Sequence, residues 1–141
     1  MRRVLDSSVG FKWVVAEADT DKALRLRNDF RTGLVELLAP DVFPVEISHG
    51  LTRAERQMRI TPAEGATYVS DLLKLLPQLH PSLTLLPRAY EISSQMRLGI
   101  YDCLYVALAE REKCELITAD DKLFKNLQPQ FSFLVPLSSL P

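Results

Sequence analysis

The sequence predicts an α/β domain with a mostly parallel central sheet flanked by helices, and three observations carry that prediction. Short apolar runs alternate with longer stretches of helical period along the chain, and parallel neighbours in a sheet need such helical crossovers between them. No repeat, low-complexity tract or interdomain linker interrupts the alternation. At 141 residues, with 47% hydrophobic and 25% charged residues, positions 1–141 read as a single domain with a real core, which excludes disordered, collagen-like and purely coiled-coil chains.

The elements follow in order. Met1 to Leu5 is a first strand, and Ser7 or Ser8 starts a helix carrying Val9, Trp13, Val14 and Val15. Asp19-Thr20-Asp21 caps a second helix, with Ala23, Leu24, Leu26 and Phe30 as its buried stripe and Gly33 in the C′ position. Leu34 to Ala39 is the next strand. Pro40-Asp41 then opens a helix to about Gln57; Val42, Val45, Ile47 and Leu51 are its apolar residues, and Pro44 takes a first-turn position whose N–H is free in any case.

Thr61-Pro62-Ala63-Glu64 is a capping box with proline at N1, and its helix ends near Pro77. His80 to Leu86 reads as a loop containing a short strand, Leu83 to Leu86; Pro87 begins a helix through Leu98, ended by Gly99. Tyr101-Asp102 starts a helix, Cys103 to Glu112, apolar enough to be buried on most sides. Glu115 to Thr118 is a strand, Asp120 to Phe124 a helical turn, and Phe131 to Leu137 the last strand.

Charge and targeting features narrow the function by exclusion. With 17 basic against 18 acidic residues, the net charge of −1 points to no nucleic acid, membrane or acidic substrate globally, so charge has to be read locally. The longest apolar stretch, Cys103 to Ala109, is far below the roughly 20 residues of a membrane span. No signal peptide is expected after Met1-Arg2-Arg3. Cys103 and Cys114 fall within one predicted helix, ~16 Å apart along its axis at ~1.5 Å per residue, too far for a disulfide. A cytoplasmic protein is the expectation.

The local charge that stands out is acidic. In a parallel sheet, every strand's carboxyl end and every following helix start share one edge, where such folds build their sites. Asp6 follows the first strand, Asp120 follows Thr118, Glu46 lies in the early turns of the helix after Pro40, and Asp102 opens the apolar helix. These carboxylates are predicted to meet at that edge. An aspartate at a strand-to-helix junction is also an ordinary N-cap, and Glu46 near a helix start also suits the helix dipole. Converging negative charges repel, however, and a hard divalent cation removes the repulsion. Oxygen donors without Cys or His clusters suit magnesium or manganese rather than zinc, and the natural chemistry of such a site is phosphodiester hydrolysis by metal-activated water.

Val4-Leu5-Asp6-Ser7-Ser8, Pro40-Asp41 with Glu46, the segment Tyr101-Asp102-Cys103-Leu104-Tyr105-Val106-Ala107-Leu108-Ala109-Glu110, and Leu116-Ile117-Thr118-Ala119-Asp120 together resemble the PIN-domain family. The resemblance covers essentially the whole chain, is most specific in the Tyr101 segment, and is nearest to the VapC-type toxins of toxin–antitoxin pairs. It implies a PIN-like three-layer fold and a magnesium-dependent (manganese possible) endoribonuclease acting on single-stranded or looped RNA, checked by a cognate antitoxin protein. It implies Asp6, Glu46, Asp102 and Asp120 as the acidic quartet. Asp6 and Asp102 are then the firmest metal ligands, Glu46 a ligand or water-orienting base, and Asp120 a ligand of a more weakly held ion, with Ser7 and Thr118 in support. His49 departs from the small polar or amide residue many relatives carry near the glutamate, and Asp121 is an alternative to Asp120.

Several further features bear on function. Arg53, Arg56 and Arg59 follow Glu46 at helical spacing and suit either an RNA backbone, with Arg3, Lys122 and Lys125, or a solvated face. Phe11, Trp13, Tyr101 and Tyr105 can stack bases, but their apolar neighbours point to core positions. The apolar faces of Val9 to Val15 and Ala23 to Phe30 suit a homodimer surface or an antitoxin groove. The competing readings are a non-catalytic PIN-fold RNA- or protein-binding module and a receiver-like or phosphatase domain. The latter needs a glycine-rich phosphate loop or an opposed lysine, and five scattered glycines make no such loop.

Overall fold

The computed structural model describes residues 1–141. Its elements are β1 (Arg2–Leu5), α1 (Ser7–Phe11), α2 (Thr20–Arg31), β2 (Glu36–Pro40), α3 (Phe43–Arg56), α4 (Pro62–Leu73), β3 (Gln78–His80), α5 (Ser82–Met96), α6 (Ile100–Glu112), β4 (Glu115–Thr118), α7 (Asp121–Leu127) and β5 (Leu134–Pro136), followed by a 3-10 turn, Leu137–Ser139. The sheet is parallel throughout, in the order β3-β2-β1-β4-β5. Val4 of β1 pairs with Leu38 on one side and Leu116 on the other.

This order matters because the chain leaves β1 toward β2 and β3, then returns to the other side of β1 as β4. The gap between the ends of β1 and β4 is therefore a topological switch point, where flanking connections diverge and leave a crevice. Right-handed crossovers put the helices between β1 and β3 on one face and those between β3 and β4 on the other, giving three layers. On the first face α3 packs against α1 and α4; on the second α5 packs on α6, which crosses β1, β2 and β4. Enclosed by the sheet and α5, α6 buries seven consecutive residues, Cys103 to Ala109. Arg88 of α5 grips both carboxylate oxygens of Glu110 at 2.7 and 3.0 Å, tying the two helices together.

The α1–α3 contact is unusually close. A Cβ on Gly10 would stand 2.5 Å from Phe43 Cζ and 2.7 Å from Ile47 Cδ1. Phe43 and Ile47 are fully buried, so neither can withdraw. Glycine at this position lets the start of α3, which carries Glu46, lie against α1.

Several predicted elements are corrected. Leu83 to Leu86 is not a strand: Gln78–His80 is β3, and the α5 helix runs from Ser82 through Pro87 to Met96. Leu85, Ala89 and Ile92 form its buried stripe on both sides of the proline, and that stripe outweighs one lost backbone bond. The carbonyl left free, that of Leu83, lies on an exposed turn where water can take it. Arg97, in the left-handed region at φ 55°, ends α5, while Gly99 N-caps α6, which begins before Tyr101. Cys114 lies just past α6, so the two cysteines do not share a helix, and both are unpaired.

Other boundaries shift less. α1 ends at Phe11, α4 at Leu73, the last strand narrows to Leu134–Pro136, and the turn after Asp120 is a full helix to Leu127. Trp13 lies beyond α1, buried, with its indole N–H donating to the Ala23 carbonyl at 3.0 Å. Val9, Trp13, Val15, Ala23 and Leu26 are core, so the first two helices offer no broad apolar face; only Leu24 of the expected stripe is exposed. Exposed large apolar side chains are scattered over the surface, at Met1, Leu34, Met58 and Leu73 among others, with a group on α5 at Leu83, Leu86 and Tyr90 and two near the carboxyl edge of the sheet, Val45 and Tyr101.

Candidate functional site

Asp6 emerges from the buried end of β1 and is itself buried, at 3% exposure. Its backbone is the N-cap of α1, yet its carboxylate makes no capping bond. Ser8 and Thr118 hold it instead. Both hydroxyls donate to Oδ2, that of Thr118 at 2.9 Å. Each hydroxyl in turn accepts a backbone N–H from the chain leaving β4, Ala119 N to Ser8 at 3.0 Å and Asp120 N to Thr118 at 3.1 Å. With their lone pairs taken by these donors, the two hydroxyls direct their protons onto Asp6. Oδ1 receives no side-chain donor.

The switch point is thus stitched by a relay running from the start of α7 through Thr118 and Ser8 to Asp6. Ser8 is the serine that holds Asp6, while Ser7, the one expected, faces the neighbouring cleft, where its side chain hydrogen-bonds Glu46. Sequence spacing does not separate the two serines, because both fall in the first turn of α1.

Glu46 stands in the first turns of α3, half-buried, and its Oε1 accepts the Tyr105 hydroxyl at 2.7 Å. Burial raises its pKa to about 7; the Tyr105 bond works against that rise, and the charges of Asp6 and Asp102 add to it. Asp102, in the first turn of α6, is brought to about 6 by burial and by the charges of Asp6 and Asp120. Asp6 is raised by burial first, against the pull of its Ser8 and Thr118 bonds, with Asp120 adding repulsion. Asp6 and Asp102 therefore lie in a shared field with both Glu46 and Asp120 at one edge of the sheet.

Asp120 differs from the other three. It is exposed and its Oδ1 caps α7 by accepting Leu123 N at 3.0 Å, so the ordinary N-cap reading holds for this residue even as its charge acts on Asp6 and Asp102. Asp121 is exposed, begins α7, and is not among the charges acting on Asp6, Glu46 or Asp102. Tyr105, expected in the core, is fully buried and also holds Glu46. Its position three residues after Asp102, one turn along the same helix face, is the signal that links them.

No lysine or arginine forms an ion pair with any of the four carboxylates. Buried negative charge without a cation is costly, and here three carboxylates pay part of that cost by favouring their protonated forms. As the side chains lie, no three of Asp, Glu, His or Cys enclose an ion. The donor set of oxygens alone fits a hard cation.

The cations expected to guide a substrate divide. Arg53 lines a cleft of about 570 Å³ along α3 with Ser7, Val45, Glu46, His49 and Tyr101. Arg56, Lys122 and Lys125 are exposed, whereas Arg59 pairs with Glu17 and Arg3 with Glu115. Arg3 lies at the amino end of β1, on the edge opposite the carboxylates.

The PIN domain profile matches residues 3–128. VapC ribonuclease Mb0985 of Mycobacterium bovis is 35% identical over 94 residues, covering 67% of this chain and 72% of that protein. Ribonuclease VapC1 of Mycobacterium tuberculosis is 32% identical over 87 residues, covering 60% of this chain and 63% of the relative. The crystal structure of PAE2754 from Pyrobaculum aerophilum superposes with a TM-score of 0.69 at 19% identity, covering 99% of this chain and 94% of that one, and so shares the fold. No helix is long and apolar enough to cross a membrane. With the profile spanning nearly every element and the relatives matching most of the chain, this protein belongs to the PIN-domain family.

Proposed function

We propose that this chain is a metal-dependent endoribonuclease that cuts single-stranded or looped RNA and acts as the toxin of a toxin–antitoxin pair, restrained by a protein partner. The observation that carries the reading is the convergence of Asp6, Glu46, Asp102 and Asp120 at the switch point with no lysine or arginine to balance them. The ribonuclease names of the relatives support the substrate class. A cytoplasmic homodimer belongs to the same reading, and light scattering of the purified protein checks the dimer.

Asp6 and Asp102 are the residues that would hold magnesium or manganese, with Glu46 and Asp120 beside them. When bound, the ion supplies an activated water and offsets charge on the phosphate and leaving oxygen. The protein's own groups do the rest. Ser8 and Thr118 occupy Asp6 Oδ2 and leave Oδ1 without a side-chain donor. Glu46, with its pKa near 7, accepts a proton from a water and returns it close to neutral pH, the condition under which a general base works best. The Tyr105 bond holds its carboxylate in one orientation. Arg53 and Lys122 supply positive charge to an approaching phosphate chain.

Incubating purified, partner-free protein with structured RNA in magnesium, manganese, calcium or EDTA tests this. Cleavage is expected with the first two and absent in EDTA. Calcium, with its looser coordination, is expected to bind while supporting little turnover. Cleavage that persists in EDTA overturns the metal-dependent mechanism.

A further inference from the structure

The cleft beside the carboxylates has a composition that metal binding does not explain. Val45, Glu46, His49 and Arg53 succeed one another along one face of α3, and Tyr101, from the start of α6, lines the same space. Tyr101 is 56% exposed and Val45 69% exposed. Arg53 is exposed and forms no ion pair. An aromatic face, an apolar wall and an unpaired guanidinium thus adjoin an acidic edge that on its own would repel a polyanion. The volume, about 570 Å³, falls within the range that takes a small organic ring system.

We infer that this cleft is a nucleotide subsite: the base next to the scissile phosphate stacks on Tyr101 against Val45, and Arg53 binds that nucleotide's far phosphate. The inference rests on the ribonuclease reading and names how the substrate is held. Arg53 stands ~10 Å along α3 from Glu46 at ~1.5 Å per residue, leaving room for one nucleotide between them. Stacking on an aromatic face is available to every base, so the subsite selects for an unpaired, splayed nucleotide rather than for one sequence. His49, on the same wall, offers a ring nitrogen to the base edge. Tyr101 and Arg53 are positioning residues here; the bond cleavage stays with the carboxylates.

Two measurements on the full chain test the subsite. In steady-state cleavage of a single-stranded oligoribonucleotide with manganese, Tyr101→Ala is expected to raise KM about tenfold, within the range for losing one base–aromatic stack, with kcat changed less than twofold, and Tyr101→Phe is expected to restore KM. Arg53→Ala is expected to raise KM and to reduce the salt dependence of binding by about one phosphate contact. The second measurement needs no turnover: a 2-aminopurine oligoribonucleotide is expected to be quenched by the wild-type protein and not by Tyr101→Ala. Tyr101-dependent quenching without any cleavage by the wild type supports nucleotide binding in the cleft but rejects the ribonuclease reading and, with it, the subsite's place beside a scissile phosphate. Cleavage with KM and quenching equal in wild type and Tyr101→Ala overturns the subsite and leaves the ribonuclease reading intact. If RNA binding is unchanged while Tyr101→Ala loses an antitoxin's binding, the cleft belongs to a peptide and the inference is likewise overturned.

Discussion

The Tyr105 hydroxyl donates to Glu46 Oε1 at 2.7 Å, joining the fully buried middle of α6 to the first turns of α3. The bond favours the charged carboxylate and restrains a pKa that burial drives up to about 7. Tyr105→Phe removes the donor without changing the packing volume. Glu46 is then expected to titrate at higher pH, moving the acid limb of the cleavage–pH profile upward. Stability is expected to fall by about 1 kcal/mol, the usual net value of such a bond. A profile that stays in place shows that Glu46 does not limit the reaction.

The raised carboxylates also make a statement about stability. Asp6, Glu46 and Asp102 all have folded pKa values above their unfolded ones, so the folded state binds more protons in the intervening range and loses stability as pH rises. The loss begins near the ordinary carboxylate values of about 4 and is complete above the folded values, about 6 for Asp102 and about 7 for Glu46. Glu110 and Glu112, depressed by their arginines, oppose the decline only weakly and only up to about pH 6, where the unfolded glutamates are fully charged. In EDTA the melting temperature is therefore expected to decline from pH 5 through about 7, the range that Asp102 and Glu46 set, and magnesium is expected to flatten that decline.

Asp102→Ala separates chemistry from folding. Asp102 lies in the first turn of α6 but is not its N-cap, which is Gly99, and no side chain caps that helix. Removing it costs no capping bond and lessens repulsion on Glu46. The variant is expected to accumulate like the wild type and to lose activity on the order of a hundredfold or more. Expression without an antitoxin is expected to arrest growth for the wild type and not for Asp102→Ala; equal toxicity at equal abundance counts against hydrolysis at this site.

Gly10→Ala tests how α3 is positioned. The added methyl meets Phe43 and Ile47 in a packed layer, an overpacking cost of about 1–3 kcal/mol against a helix-propensity gain of about 0.5–1 kcal/mol. Net destabilisation is expected, with a further loss of activity as Glu46 is displaced. Thermal melts and cleavage rates check the two effects separately, and a stabilised, fully active variant would contradict the close α1–α3 contact.

Alternation of apolar runs with helical segments was enough to read the parallel sheet, and strand ends located Asp6 and Asp120. The same edge rule brought in Glu46 and Asp102. What stayed illegible depended on tertiary partners. Pro87 reads as a helix start because the stripe of Leu85, Ala89 and Ile92 becomes decisive only once α6 lies beneath it. Ser8 and Ser7 are equivalent in sequence until β4 supplies Thr118 and the Ala119 N–H. Tyr101 and Tyr105, four residues apart, read alike as core aromatics, and only the mouth of the cleft exposes the first.

On the proposed reading Asp6 is held at the switch point to bind a cation, and thermal melts of wild type and Asp6→Asn with and without magnesium test this most directly. Asparagine keeps a side-chain oxygen for Ser8 and Thr118 while removing a buried charge that burial and Asp120 both disfavour. In EDTA the variant is expected to melt at the wild-type temperature or higher. Magnesium is expected to raise the wild-type melting temperature and to leave the variant nearly unmoved. A variant that is less stable without metal, and that responds to magnesium as the wild type does, would make Asp6 a structural carboxylate and contradict the claim.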